Sequence, residues 1–340
     1  MNAARFCSKL IQLHCGKKRE QLSLDRANHG AAYRGTKLPL QVTFSCTYRC
    51  NLKCAHCQAE NSNVKDEIST KRFLEIIDEI AEAGAVRIGF TGGEPLIRKD
   101  MTEGLRHCYE HKILTTMVSN SYLVPQSIEH LKKLSLLFLS LDGTREAHEQ
   151  IRGKGSFDQF LKAVRAAKDN GIPVAALTTL CSVNYPAIQE MCDLIKALDI
   201  HWLVGVIQTR FTGRTSQDLT QERLNEMLDK IEKVKNLRTA KAYLDLLRGK
   251  RQAPECFAGV GYAIIAPDGC LYPCFPAQFD KSYKGVSVLD KSFKQAFAEL
   301  PLYRATCDTC TLACHIEANF LYQFEWASIL QAIKLKRRKP

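Results

Sequence analysis

The sequence lacks any apolar run approaching the roughly 18 residues that a membrane-spanning helix requires. Its first residues lack the apolar h-region and small-residue cleavage site of a secretory signal, so secretion is not expected. Nothing beside its basic segments has the pattern of a base-reading module, and specific nucleic-acid binding is not expected. What the chain has in excess is cysteine. The 15 cysteines, odd in number and unevenly spaced, make a poor disulfide framework. They suit a reducing cytoplasm in which thiols ligate metal. A hydrophobic content of 45% and a charged content of 25% are ordinary for a globular protein. At 340 residues the chain can bury one large core or two modest ones.

The net charge is +12, and the terminal Lys334-Leu335-Lys336-Arg337-Arg338-Lys339-Pro340 is almost wholly basic. The first reading of this tail is a solvated end. The second is contact with an acidic partner or an anionic membrane surface. Near the other end, Phe6, Leu10, Ile11 and Leu13 recur at near-helical spacing among Arg5, Lys9, Lys17, Lys18 and Arg19. That pattern suits a helix docked on the protein's own surface or, as the alternative, an interfacial one giving peripheral membrane contact. Cys7 and Cys15 have no close cysteine neighbours and read as unligated.

From Leu38 the pattern alternates strand and helix. Strands are expected over 40–44, 85–90, 113–119, 136–141, 172–180 and 202–207. Helices are expected after the N-cap Ser69, with Phe73, Ile76, Ile77 and Ile80 on one face, and over 98–110, 125–133, 157–170 and 186–198. Six such units without a hairpin signal imply an α/β fold with a parallel sheet and right-handed crossovers, a partial (β/α)6 TIM-like barrel open on one side. The expected organisation is an extension over 1–36, the barrel over 37–210, a helical connector over 211–255, a small cysteine-rich domain over 256–325 and a basic tail over 326–340. The cysteine-rich segment carries too little apolar material for a core of its own, so a metal centre is the expected staple.

In parallel α/β folds the site lies at the carboxyl ends of the strands. The first strand runs into Cys50-Asn51-Leu52-Lys53-Cys54-Ala55-His56-Cys57, a C-x3-C-x2-C loop. Three soft ligands so close can hold three corners of an iron–sulfur cube and leave a fourth iron open. The second strand ends in Thr91-Gly92-Gly93-Glu94-Pro95, where glycines let backbone approach a ligand. The third ends in Ser119-Asn120-Ser121 and the fourth in Ser140-Leu141-Asp142-Gly143, followed by His148 and Ile151-Arg152-Gly153. Taken singly, each has a bland reading: Asp142 as a turn former, Arg152 as a surface ion pair, the glycines as an ordinary turn.

Taken in order, these motifs resemble the radical S-adenosylmethionine (SAM) superfamily over about 41–207. The resemblance implies a 4Fe–4S cluster on Cys50, Cys54 and Cys57 whose open iron chelates SAM, and reductive cleavage of SAM to a 5′-deoxyadenosyl radical. It implies that Gly92, Gly93 and Glu94 meet the methionine amino group. Ser119, Asn120, Ser140 and Asp142 would bond ribose hydroxyls or methionine polar groups. Arg152 would pair with the methionine carboxylate, which a guanidinium suits, and His56 would contact adenine. No residue is assigned a catalytic role. Ser121 stands where the family has glycine, which puts a positive-φ turn there in doubt. Cys46 opens another reading, a four-thiolate zinc site of Cys46, Cys50, Cys54 and Cys57, but zinc accounts for none of the other motifs.

A second cysteine set comprises Cys256, Cys270, Cys274, Cys307, Cys310 and Cys314. Pro267-Asp268-Gly269 is a turn signal between apolar stretches and predicts a β-hairpin. Cys256, Gly269 and Cys274 resemble the opening of a SPASM domain, the auxiliary-cluster extension of many radical SAM enzymes. No cysteine follows Cys314, so the shortened single-cluster twitch version is the better match. By that resemblance an auxiliary 4Fe–4S cluster takes Cys256, Cys274 and two among Cys307, Cys310 and Cys314, with Cys307 and Cys310 first by spacing. Cys108, Cys181 and Cys192 read as small core residues. The implied partners are an electron donor such as flavodoxin or ferredoxin and a peptide or small-molecule substrate. The stretch before the barrel shows no clear winged-helix peptide-binding domain. The alternative is a non-catalytic iron–sulfur or zinc protein acting in redox sensing or binding.

Overall fold

The computed structural model describes residues 37–57, 66–208, 218–303 and 310–323. The N-terminal extension, Cys307 and the basic tail, each singled out above, lie outside the described residues. In chain order the elements begin with β1 (Gln41–Thr47), α1 (Thr70–Glu82), β2 (Arg87–Gly92), α2 (Met101–Glu110) and β3 (Leu114–Ser119). They continue with α3 (Ile128–Leu131), β4 (Leu136–Ser140), α4 (Arg145–Arg152), α5 (Ser156–Asp169), β5 (Val174–Leu180), α6 (Ile188–Leu198) and β6 (His201–Val206). Then come α7 (Gln221–Ile231), α8 (Lys241–Leu247), β7 (Tyr262–Ile265), β8 (Cys270–Tyr272) and α9 (Phe275–Phe279). The last are β9 (Val286–Ser287), α10 (Phe293–Glu299) and α11 (Ala313–Tyr322). No described helix is long and apolar enough to cross a membrane.

The chain divides into two compact units, and β3 runs across their boundary. The first unit takes the described parts of Met1–Arg49, Asn63–Thr116 and Cys256–Thr309. Its β1 pairs in parallel with β2, Gln41 opposite Arg87 and Phe44 opposite Phe90. On its other side β1 pairs in parallel with β7, Gln41 opposite Tyr262 and Phe44 opposite Ile265. Strands β7, β8 and β9 follow as antiparallel neighbours. The turn into β8 is the expected one: Gly269 has φ +82° and Asp268 Oδ1 accepts the Cys270 amide at 3.0 Å. Helix α1 starts on Ser69, whose Oγ accepts the Arg72 amide at 3.3 Å. It buries Phe73, Ile76, Ile77 and Ile80. The Phe73 ring meets Phe44 at 5.2 Å and Phe90 at 6.1 Å between centroids. Burial of each such side chain is worth roughly 1.5–3 kcal/mol.

The segment after Cys256 gains order by joining the sheet and packing of the first unit. Tyr262, Ala263, Ile264 and Ile265 are all buried in β7, which extends the sheet of the first unit. Phe293 and Phe297 of α10 are buried as well. Arg72 of α1 reaches Val288 O with Nε at 3.0 Å, and Glu79 accepts the Phe293 amide at 2.6 Å.

The second unit takes the described parts of Cys50–Ser62, Met117–Glu255 and Cys310–Pro340. Strands β4, β5 and β6 are parallel neighbours, Ser140 opposite Leu177 and Leu180 opposite Val206. Helices α5 and α6 cover them with Phe157, Phe160, Val164, Ile188, Met191 and Ile195. Trp202 is fully buried and its Nε1 donates to Thr178 Oγ1 at 2.8 Å. The expected connector belongs to this core. Trp202 exchanges backbone hydrogen bonds with Asn236 and Arg238 at 3.0 and 2.7 Å, and Thr239 Oγ1 accepts the Val204 amide at 2.8 Å. Two local differences from the sequence pattern appear. The segment 125–133 is a 3-10 turn, Pro125–Ser127, followed by the short α3. Helix α4, which carries His148 and Arg152, was not expected.

Candidate active site

The stem of the cysteine loop belongs to the first unit. Ser45 of β1 faces Thr91 and Thr47 faces Gly92, so Cys46 is the extra residue of a β-bulge. Its thiol is fully buried, donates to Thr91 O at 3.3 Å, and is pushed up to about 12 by that burial. Buried within β1 and bonded to Thr91 O, this thiol is engaged with β2 and stands apart from the loop cysteines. After the bulge, the chain runs hard against Gly92-Gly93. A Cβ on Gly92 would lie 2.2 Å from Thr47 O, and one on Gly93 2.2 Å from Arg49 O. The Gly93 amide donates to Thr47 O at 2.7 Å and the Glu94 amide to Arg49 O at 3.0 Å. The glycines therefore admit the protein's own backbone, and these two amides serve that contact rather than a ligand. Glu94 is fully buried and caps the turn Pro95–Ile97 through the Leu96 amide at 3.2 Å.

Glu67 closes the stem from the far side of the loop. Arg49 grips its carboxylate with Nε and a terminal nitrogen, both at 2.9 Å, and Thr47 Oγ1 donates to it at 2.5 Å. Burial raises the Glu67 carboxyl, but the bonds from Arg49 and Thr47 outweigh it and hold the group below its ordinary range. Arg98 completes the brace, donating to Cys46 O at 3.1 Å and Ile68 O at 2.9 Å and pairing with Asp100 at 2.7 Å.

The loop itself belongs to the second unit. Cys50 is exposed, Cys54 is buried and Cys57 is half-buried. The Ala55 amide donates to Ile151 O at 2.8 Å, so the end of α4 holds the middle of the loop. From the end of β3, Asn120 Nδ2 reaches Asn51 Oδ1 at 2.7 Å and Cys50 Sγ at 3.5 Å. The turn beyond it keeps the geometry that the serine put in doubt: Ser121 has φ +84°, is fully buried, and donates its amide to Ser119 Oγ at 3.1 Å.

Asp142 follows β4, whose last residue Ser140 is buried. Asp142 is itself fully buried and has protein partners on both oxygens: Arg152 Nε on Oδ2 at 2.5 Å and the Thr179 amide on Oδ1 at 2.9 Å. Its amide donates to His148 Nδ1 at 3.0 Å, and His56 Nε2 stands 3.7 Å from Oδ2. Burial pushes the Asp142 carboxyl up, and the charges of Arg152 and His56 overcome it, leaving the group ionised. Burial lowers His148 to about 4, with Arg152 adding to the effect, so the ring is neutral and accepts. Arg152 has its second contact on the loop, a terminal nitrogen 3.8 Å from Cys54 Sγ. Asp142 and Arg152, both expected at the cofactor, contact each other in this geometry, and Arg152 also contacts the cysteine loop.

The loop's donors suit an iron–sulfur cluster in kind: three thiols on one short, doubly anchored loop, with a guanidinium against one and an amide against another. The thiols do not stand as a closed cage; among the described residues no three His, Cys, Asp or Glu side chains form one. Cys256, Cys270 and Cys274 belong to the first unit, and Cys310 and Cys314 to the second. Cys256 Sγ lies 3.5 Å from Tyr262 OH, and buried Cys274 occupies the N-cap position of α9 without a side-chain capping bond. In the second unit, Tyr243 OH donates to Thr311 O at 2.7 Å between Cys310 and Cys314. Cys108, Cys181 and Cys192 are buried, as expected of core residues. The pattern missed Thr47, Arg49 and Glu67 as a clamp, since nothing local marks residues that meet across a loop.

Residues 44–195 match the family model of the Radical SAM superfamily. The chain is 27% identical over 332 residues to the Fe-coproporphyrin III synthase of Methanosarcina barkeri, covering 83% of this chain and 82% of the relative. It is 28% identical over 274 residues to the antilisterial bacteriocin subtilosin biosynthesis protein AlbA of Bacillus subtilis, covering 76% of this chain and 60% of AlbA. The fold resembles that of SuiB from Streptococcus suis, solved with its precursor peptide SuiA, with a TM-score of 0.68, 21% identity, and coverage of 78% of this chain and 66% of SuiB.

Proposed function

We propose that this chain is a radical SAM enzyme that takes a hydrogen atom from a peptide and so initiates its modification. The observation that carries the reading is the convergence of α4 and the end of β3 on the cysteine loop, Arg152 at Cys54 and Asn120 at Cys50. Cys50, Cys54 and Cys57 would hold a 4Fe–4S cluster, which supplies the electron that cleaves SAM to a 5′-deoxyadenosyl radical. The protein's own part is positional. Gly92 and Gly93 let β2 and the loop stem close, and Glu67 with Arg49 fixes the loop's entry. Asn120 orients Cys50 through Asn51, and Ser119 fixes the turn that presents Asn120. His56 and Ser140 remain the residues of this unit through which SAM itself would be met.

In this reading the strands form a partial (β/α)6 barrel. An auxiliary twitch-type cluster would draw its ligands from the second cysteine set. The enzyme works in the cytoplasm with a flavodoxin or ferredoxin as electron donor. The peptide substrate is supported by AlbA, which is named for the biosynthesis of a bacteriocin. A second substrate class, a cofactor precursor, is favoured by the synthase match, which spans most of both chains. The two separate in one assay. Reduced, reconstituted enzyme is incubated with SAM and the deuterated small-protein fraction of cells grown in heavy water. Deuterium then enters 5′-deoxyadenosine, and protease treatment of the fraction abolishes the transfer. Transfer from a protease-resistant, low-mass fraction instead would replace the peptide by a cofactor precursor.

A further inference from the structure

Arg152 is held by protein contacts on two sides, Asp142 on one and Cys54 on the other. Its side chain is 11% exposed and that of Asp142 0% exposed, and their contact at 2.5 Å is the shortest in the cluster of charges around the loop. Asp142 is in turn held by the Thr179 amide on one oxygen and by its own amide on His148. His148 is locked by its packing on Phe157 and Phe160, with ring centroids at 6.0 and 6.4 Å. A chain of buried contacts therefore runs from α5 through His148 and Asp142 to Arg152. The last link is the guanidinium beside Cys54 Sγ, and α4 also grips the loop through Ile151 O and the Ala55 amide.

We propose that Arg152 is a positioning residue that sets the reduction potential of a cluster held by Cys54, with Asp142 aiming it. The inference rests on the radical SAM reading and adds a role for this pair that SAM binding does not require. The physical ground is charge. Reduction adds an electron to the cluster and its thiolates. A fixed cation with an N–H against one ligand sulfur stabilises the reduced form more than the oxidised one. Outer contacts of this kind tune metal centres without touching the metal. Burial strengthens the effect, because little water is present to screen it. A lysine at this position would keep the charge but could not bond the carboxylate and the sulfur at once.

The test is a redox titration of anaerobically reconstituted full-length protein without SAM, followed by electron paramagnetic resonance. The signal to follow is the one whose shape changes when SAM is added afterwards, which separates it from any other cluster. In Arg152→Gln the reduction equilibrium should move about tenfold toward the oxidised form, 59 mV for one electron. Arg152→Lys should fall between the two. Since Arg152→Gln leaves Asp142 as a buried carboxylate without its guanidinium, the double variant Asp142→Asn/Arg152→Gln removes both charges and should shift in the same direction. An unshifted potential in whichever glutamine variant retains the cluster overturns the proposal and leaves the pair a purely structural tie between α4 and β4. A wild-type protein with no SAM-responsive signal is a separate outcome: it overturns the radical SAM reading on which the proposal rests.

Discussion

At Ser121 the fold demands a conformation that its side chain opposes. With φ +84° it occupies the left-handed region that glycine enters freely, and its Oγ is buried with no partner among the described residues. The turn persists because neighbours over-determine it: Ser119 takes the Ser121 amide and Asn120 takes the Tyr122 amide at 3.2 Å. Ser121→Gly should therefore raise stability by about 1 kcal/mol. Urea denaturation would show a higher midpoint with an unchanged slope. A lower midpoint would mean that the hydroxyl does more than the geometry implies. At this scale the sequence was informative about residue types and their order. The Cys50, Gly92, Asn120 and Asp142 motifs all sit at strand ends, as the alternation of strands and helices implied. Partners were another matter. Nothing around Arg152 says that its guanidinium faces Asp142 and Cys54, because that choice depends on α4, whose short polar sequence carries a weak apolar stripe.

Among the elements, the cysteine loop and its stem matter most. The bulge at Cys46 redirects β1, the glycines let β2 close on it, and the Arg49–Glu67 pair bridges the two ends of the loop. Arg49 is 60% exposed, so water screens the pair and its worth to global stability is at most about 1 kcal/mol. Its effect should be larger on the loop than on the fold. Glu67→Gln should release iron from reconstituted protein to a chelator severalfold faster than wild type, with little change in unfolding midpoint. The sign of the pH effect follows from the depressed carboxyl. Its contribution is complete above the unfolded carboxyl value of about 4.3 and is lost as pH falls through the lower folded value. The small stability gap between wild type and Glu67→Gln should accordingly close in acid. A gap that stays constant from neutral pH down to 3 would deny the pair any role. Helices and strands with strong period were legible in the chain. The clamp was not, because Glu67 lies on a segment without regular structure.

For the whole molecule, the least legible feature was β7. The sequence shows a hairpin after Cys256, which the structure contains, but not that its first strand pairs in parallel with β1, more than two hundred positions earlier. Local pattern cannot report such a pairing. It explains why so little apolar material suffices there, since Ile264 and Ile265 are buried by the sheet they join. The proposed auxiliary cluster then needs its own evidence. A variant with Cys50, Cys54 and Cys57 all changed to alanine should keep about four irons and four sulfides per chain on the second cysteine set. No iron after reconstitution would reduce those cysteines to structural residues or zinc ligands. The central claim, that the cysteine loop cleaves SAM, has a more direct test. Anaerobically reconstituted, dithionite-reduced protein should form 5′-deoxyadenosine from SAM even without substrate, and Cys54→Ala should form none, because two thiolates cannot hold the cube. Product formation undiminished in Cys54→Ala would contradict the account.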